Sequence, residues 1–267
     1  MRRFKWVTFL VILAFHILAL EALLPANFSW RNLLVAFGLY VFTGLGITFG
    51  FHRLLTHRAF EAHPAVRFVA VLAGSLAFQG DPIEWVADHR VHHRYADTGR
   101  DKHNSRWGFA WSHLLWLFRD FRLSTLERRM RAQLSQDGLL RFFRYGYIPA
   151  QLLLALGLYF WGGWSLVVWG VFFRTVCMYH ATWLVNSATH KWGYRLFETP
   201  DESRNNWWVA LLAFGEGWHN THHAHQSSPR HGLTWWEVDV TWGLIWFLSR
   251  LGLVRKLKPV PALDAGL

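Results

Sequence analysis

Gly215-Glu216-Gly217-Trp218-His219-Asn220-Thr221-His222-His223 places three imidazoles within five positions, and the same H-x-x-H-H pattern occurs earlier at His89, His92 and His93. On an α-helix each residue turns by about 100°. The two adjacent histidines of a trio therefore project about 100° apart, with the residue three places earlier between them. Each trio fans over one helix face, which suits the gripping of a metal ion.

Outward from these motifs, His52 and His57 follow an apolar run, and His190 follows another. Nine of the 16 histidines thus form a pattern: His52, His57, His89, His92, His93, His190, His219, His222 and His223. The i, i+5 spacing of His52 and His57 puts them about 140° apart on an ideal helix, so they are expected to serve different metals or to straddle a helix end. Imidazole suits zinc, copper, iron and nickel. Nine neutral nitrogens exceed what one ion takes, so two metals sharing the set is the simpler account. Redox-inert zinc is the structural alternative. So many ligands beside apolar spans favour iron and oxygen chemistry on an unreactive C–H bond. His16, His63, His113 and His180 read as ordinary hydrogen-bonded histidines, and Cys177 as a small core residue.

Composition narrows the class. Of 267 residues, 52% are hydrophobic, 18 are Trp and 22 are Phe, while the formal charge is +11. Long apolar runs and abundant Trp connect that basic excess with a membrane surface. Nucleic acid is not an expected partner, since no binding-fold signature accompanies the charge. A single cysteine permits no intrachain disulfide. Residues 6–24 follow the basic Arg2, Arg3 and Lys5, and read as an uncleaved first span rather than a signal peptide, with the basic end cytoplasmic. A second span is expected at 31–51, ending directly at His52, and a pair at 147–163 and 165–185, hinged at Gly162-Gly163. Val66 to Gln79 is too short to cross and reads as interfacial or re-entrant. The cytoplasmic cap is then 52–146 and 186–267, all in one domain. Trp235, Trp236, Trp242 and Trp246 suggest an amphipathic helix at the interface. Two crossings separate the two histidine trios, so both face the same side.

The chain resembles the membrane fatty acyl desaturases of the stearoyl (Delta-9) type. The resemblance runs through Gly46-Ile47-Thr48, His52-Arg53-Leu54-Leu55-Thr56-His57-Arg58, Glu84-Trp85 and Asp88 to His93. It continues in His103-Asn104-Ser105-Arg106, Trp183 to His190 and Gly215 to His223, and covers about residues 35–250. It implies an all-α integral membrane protein with four transmembrane helices under a cytoplasmic helical cap that holds a di-iron centre. The nine histidines are the implied ligands, with Asn186 reaching one iron through water; Asn186 and His190, four apart, share a helix face. Trp85 and Trp183 match tryptophans that line a bent acyl tunnel, and Asp88 is expected to orient a ligand imidazole.

The implied reaction is oxygen-dependent dehydrogenation of two adjacent methylenes to a cis double bond and water, at Delta-9, with two external electrons. Gly80 and Ala87 stand where the animal acyl-CoA enzymes carry an asparagine and an arginine against coenzyme A, and Asp120 where they carry a basic residue. Coenzyme A and a glycerolipid both remain open as the acyl carrier. No dinucleotide loop, P-loop or fused haem segment appears, so electrons are expected from a separate carrier, an acidic ferredoxin or a b-type cytochrome. A bacterial inner membrane with the site on its cytoplasmic side is the expected location. A membrane di-iron hydroxylase or ketolase is the nearest alternative, separable by its product. A non-catalytic zinc protein or transporter is the alternative from another class.

Overall fold

The structure is a computed structural model and describes residues 3–262; Arg2 and the last five residues of the expected cap lie outside the described residues. It is mostly helical, with one two-residue antiparallel pairing, β1 (Glu61–Ala62) with β2 (Val254–Arg255). Three helical stretches are long and apolar enough to cross a membrane: Trp6–Leu23, Trp30–Thr56 and Gly138–His190.

Helix α1 (Trp6–Leu20) heads the first stretch. Helix α2 (Trp30–Leu45) starts where the Ser29 hydroxyl accepts a hydrogen bond from the Asn32 amide, which satisfies one of the free donors of the first turn. The stretch then continues without a break as a π-helix, Gly46–Thr56, every residue of which is buried. Two glycines allow this burial. A Cβ on Gly46 would lie 2.1 Å from the Gly74 backbone nitrogen, and one on Gly50 2.9 Å from the Ala70 carbonyl oxygen. Both contacts are with helix α3 (Pro64–Leu76), the short apolar segment, which packs along the π-helix.

Helix α4 (Pro82–Tyr95) carries the first trio. Its start is fixed by Asp81, whose carboxylate accepts from the Ile83 and Glu84 amides, and by Pro82 in the first turn. Ring contacts pair Phe51 with Trp85 at 5.7 Å, His52 with His89 at 4.6 Å and His57 with His93 at 4.6 Å. Helix α4 therefore runs beside the π-helix and in the same direction, away from the apolar start of that stretch. Short helices α5 (Phe109–His113) and α6 (Thr125–Leu134) follow.

Helix α7 (Gly138–Val167) begins at the Asp137 cap, nine residues earlier than the expected span at 147. At Gly162 (φ −150°, ψ 16°) and Gly163 (φ 72°, ψ −168°) the chain leaves helical geometry, and the positive φ suits only glycine well. Leu158 then packs with Leu166, Val167 and Val171. Residues 158 and 171 would be about 20 Å apart on a straight helix, so the chain doubles back at the expected hinge. Helix α8 (Arg174–Ser187) brings Asn186 and His190 to the site. Helices α9 (Trp207–Leu212) and α10 (His219–Ala224) frame the last motif. Helix α11 (Val240–Arg250) contains Trp242 and Trp246, whereas Trp235 and Trp236 lie in the bend before it; the amphipathic helix is shorter than expected because Asp239 caps it from Trp242.

His16, His113 and His180 are hydrogen-bonded as expected: His180 Nε2 lies 3.1 Å from His16 Nε2, and its Nδ1 lies 3.0 Å from His113 Nε2. His63 caps α3 through the Ala65 amide.

Replacing Gly46 by leucine forces a side chain into the α3 backbone. The expected cost is about 3 kcal/mol, from overpacking that no rotamer relieves. A thermal melt of the purified Gly46→Leu protein should show a drop of several degrees; an unchanged melt would contradict the packing described.

Candidate metal centre and lipid cavity

The two H-x-x-H-H trios meet, and each divides between two groups. His89 and His93, one turn apart on α4, join His52, His57 and His222. His92, turned about 100° from His93, joins His190, His219 and His223. Within each group the ring nitrogens lie within 4.8 Å of one another. Nitrogens bound to one ion at about 2.1 Å are at most about 4.2 Å apart, so the 4.8 Å limit within each group is close to the dimensions of a single-ion cage. His93 Nε2 lies 2.9 Å from His222 Nε2, and His190 Nε2 lies 3.1 Å from His219 Nε2. His57 Nε2 and His223 Nε2 are buried without a hydrogen-bond partner, an arrangement that is costly unless a cation takes the lone pair. The donor set therefore fits two metal ions.

His52 and His57 fall in the same group, so the expectation of different metals fails, while the alternative, that the pair straddles a helix end, holds: the helix closes at Thr56 and His57 is its C-cap residue. The reason is the π-helix. Its turns close i→i+5, as in the His57 amide donating to the His52 carbonyl at 3.1 Å, and residues five apart align. Their ring centroids are 4.6 Å apart.

Carboxylates hold the far sides of four rings. His92 Nδ1 donates to Asp101 at 2.9 Å, His190 Nδ1 to Asp97 at 2.8 Å and His223 Nδ1 to Asp201 at 2.8 Å, while His52 Nδ1 lies 2.7 Å from Glu216. The three aspartate hydrogen bonds fix the tautomers that aim Nε2 of His92, His190 and His223 inward. Burial alone would raise these carboxyls, but the imidazole pairs hold Asp97, Asp101 and Asp201 well below the ordinary carboxylate range. Burial, reinforced by neighbouring imidazoles, pushes His89, His93, His219 and His222 well below the ordinary imidazole value, which keeps them neutral and able to bind metal. Burial opposes protonation of His92 too, yet Asp101 outweighs it and raises that ring.

Asp88 does not orient an imidazole. Its carboxylate accepts from Lys102 at 2.8 Å and from Arg131 at 3.0 Å, since α4 turns it toward α6 and away from the rings. The orienting carboxylates lie instead in the loops that follow the motifs, and in the Gly215-Glu216-Gly217 turn. Sequence reasoning missed them, although four acids within eleven residues of ligand candidates were a usable signal. It missed three further residues. His103 lies 4.1 Å from His92 between ring centroids, and His231 lies 4.4 Å from His222. Arg53 is fully buried, donating to Glu216 at 3.0 and 2.9 Å, to Asp239 at 2.9 and 3.0 Å and to the Pro229 carbonyl at 2.7 Å.

A cavity of ≈ 670 Å³ opens onto both groups, reaching His52 and His89 of one and His92 and His219 of the other. Trp85, Trp183 and Asn186 line it, as do the apolar Ile47, Met178 and Phe214. The Trp85 ring stacks on His89 at 5.1 Å, and its Nε1 donates to Gln79 Oε1. Lys5, Gly80, Arg119 and Asp120 also border the cavity. Residues 3–5 are joined to 118–120 by backbone hydrogen bonds, which places these charges together beside the start of α1.

A mostly apolar cavity against two imidazole cages is the arrangement of a metal enzyme acting on an apolar substrate. The fatty acid desaturase family model matches residues 28–242. The chain is 52% identical to an sn-1 stearoyl-lipid 9-desaturase of Anabaena variabilis over 95% of its length and 94% of the relative. It is 48% identical to an enzyme of the same description from Synechocystis sp., over 96% of this chain and 81% of the relative. A chloroplastic palmitoyl-monogalactosyldiacylglycerol delta-7 desaturase of Arabidopsis thaliana is 47% identical over 93% of this chain and 67% of the relative. The chain belongs to the fatty acid desaturase family: it is a membrane oxidoreductase that desaturates fatty acyl chains.

Asp101→Asn and Asp201→Asn each remove the acceptor that fixes one imidazole tautomer. Metal affinity of the four-imidazole group should fall by about 10- to 100-fold. Chelator competition on the metal-loaded protein measures this, and retention equal to the unaltered protein would refute the orienting role.

Proposed function

We propose that this chain holds two irons between its imidazole groups and introduces a cis double bond at Delta-9 of a saturated acyl chain carried by a glycerolipid. The observation that carries the reading is the apolar cavity that passes both cages. The five-imidazole set His52, His57, His89, His93 and His222 would hold one iron, and His92, His190, His219 and His223 the other, with Asn186 reaching the latter through water. When bound, the iron pair supplies the oxidising capacity drawn from dioxygen and two externally delivered electrons.

The protein's own residues supply position. Each methylene of the substrate buried along Ile47, Met178 and Phe214 contributes about 0.8 kcal/mol, which draws the chain to full depth. The charged border at Lys5, Arg119 and Asp120 stops a polar head group there. The distance from that border to the cages then selects the methylene pair that reacts, and misplacement by about 1 Å costs on the order of 10²-fold in rate. Trp85 and Trp183 wall the cavity beside the cages and exclude water. No side chain acts as acid, base or nucleophile on the hydrocarbon.

Gly80 and Asp120 at this border offer no coenzyme A contacts of the animal type, and the relatives' names favour lipid-linked substrates. The apolar stretches support four crossings, with the hairpin at Gly162-Gly163 counted as two, and a cap on the cytoplasmic side. A bacterial inner membrane and an external carrier, ferredoxin or b-type cytochrome, complete the reading.

Expression in a host that lacks unsaturated fatty acids tests it. Mass spectrometry with double-bond location should find cis-9 acyl chains in glycerolipid, and none with His93→Ala. An alcohol or ketone product would establish the hydroxylase or ketolase chemistry instead.

A further inference from the structure

Outside the metal centre, three further imidazoles form one continuous hydrogen-bonded row. His16 of α1, His180 of α8 and His113 of α5 meet in that order, and Ser187 of α8 closes it. His16 Nε2 lies 3.1 Å from His180 Nε2, His180 Nδ1 lies 3.0 Å from His113 Nε2, and His113 Nδ1 lies 2.9 Å from Ser187 Oγ. At the other end His16 Nδ1 lies 2.7 Å from the Ile12 carbonyl. Both nitrogens of every ring are engaged, which leaves no lone pair for a metal. Among the described residues, no carboxylate pairs with any of the three rings. In both respects the row differs from the imidazole cages.

One partner orders the whole row. A carbonyl oxygen only accepts, so His16 Nδ1 carries the hydrogen. With the rings uncharged, His16 Nε2 accepts from His180 Nε2–H, His180 Nδ1 accepts from His113 Nε2–H, and His113 Nδ1 accepts from the Ser187 hydroxyl. What the row encloses is Trp183. The His16 ring lies nearly parallel to that indole at 6.4 Å, and Tyr179 stacks on it at 5.1 Å. His180 and His113 meet it at steep angles, at 5.2 and 5.8 Å. Trp183 is buried and lines the cavity, as do Val7, Thr8, Val11 and Ile12 of α1. Helix α1 buries only Ile12 and Ala19 of its own residues. Apolar packing can slide, whereas a polar group in apolar surroundings holds to its partner. The bond from His16 to His180 therefore sets the register of α1 against α8.

We propose that His16, His180, His113 and Ser187 are positioning residues: a polarised row that fixes the Trp183 wall and the facing side of α1, and so decides which methylenes of the acyl chain lie beside the cages. This rests on the desaturase reading for the nature of the substrate. The row touches neither substrate nor metal ligand and transfers no proton; it acts through Trp183. An apolar side chain at position 180 breaks two of its bonds and frees the indole to turn. Glutamine there keeps the polarity, because its amide nitrogen donates to His16 Nε2 and its amide oxygen accepts from His113 Nε2–H.

The test uses the full-length, metal-loaded protein in lipid nanodiscs. His180→Leu should lower kcat about 10-fold and spread the double bond to positions beside the usual one, with metal content unchanged. His180→Gln should stay within about threefold of the unaltered chain and keep a single position. Seating of the substrate is read without turnover. A glycerolipid with a dibromostearoyl chain quenches the indoles it touches, and the part of the quenching that Trp183→Phe abolishes should fall in His180→Leu and persist in His180→Gln. Nuclear magnetic resonance of the zinc-loaded protein with isotope-labelled histidine checks the order of the row: the signal lost in His16→Gln should come from a ring protonated at Nδ1 alone. Should His180→Leu fail to fold, Ser187→Ala removes only the end donor and is expected to lower the Trp183-dependent quenching with metal content intact. A His16 ring protonated at Nε2 overturns the proposal. So does a row-breaking variant that keeps its metal and matches the unaltered chain in quenching and product, or equal impairment of the Leu and Gln variants. The expected tautomer and quenching without any alkene from the unaltered chain would leave the positioning row standing and sink the desaturase reading.

Discussion

The first and last histidine motifs come from distant parts of the chain, and a buried cation fixes one to the other. Arg53 lies within the π-helix between His52 and His57, and its five donors reach Glu216, Asp239 and the Pro229 carbonyl. Glu216 also lies 2.7 Å from His52 and 3.2 Å from His231, so one carboxylate couples the arginine to the imidazole cage. Asp239 serves a second purpose as the cap of α11. Burying a guanidinium is justified only when its donors are met, and loss of one partner of such a network costs about 3–5 kcal/mol. The gain is register. Neither motif can slide along its helix without breaking several charge-assisted bonds.

The π-helix is the second constraint. A π-turn is a poor way to satisfy a backbone on its own, and it persists here because Gly46 and Gly50 let α3 press against it. What it contributes is angular. Winding i→i+5 brings His52 and His57 onto one side, and the parallel α4 supplies His89 and His93 at i, i+4 to meet them. Two helix types with different periods thereby present four rings to one point. The remaining ring, His222, arrives from α10.

The division between the two cages then follows from rotation about α4 and α10. Adjacent histidines point about 100° apart, so His92 and His93 fall into separate groups, as do His222 and His223. The groups also differ in their surroundings. Three aspartates back the rings of the four-imidazole group, whereas a single glutamate, shared with Arg53, backs the five-imidazole group. All four residues of the first are buried, whereas three of the five in the second are partly exposed, so the two cages differ in enclosure and in carboxylate backing while sharing one cavity.

Much of this was legible in the sequence, because ligand type and local spacing are written there. Nine histidines in motifs, apolar runs of crossing length and a Gly-Gly hinge pointed to the imidazoles that gather, to the stretches long and apolar enough to cross a membrane, and to the fold-back at residues 162–163. Resemblance extended that reading to the chemistry. What the sequence by itself left open was decided by contacts between distant segments. The pairing of His52 with His57 depended on a π-helix that needs α3 beside it. The orienting acids were Asp97, Asp101, Asp201 and Glu216 rather than Asp88, because helix rotation turned Asp88 toward Lys102 and Arg131. A motif fixes which atoms are offered within one turn; only the packed chain fixes which of them face the same point in space, since that depends on helix phase and on neighbours as far as 186 residues away in sequence.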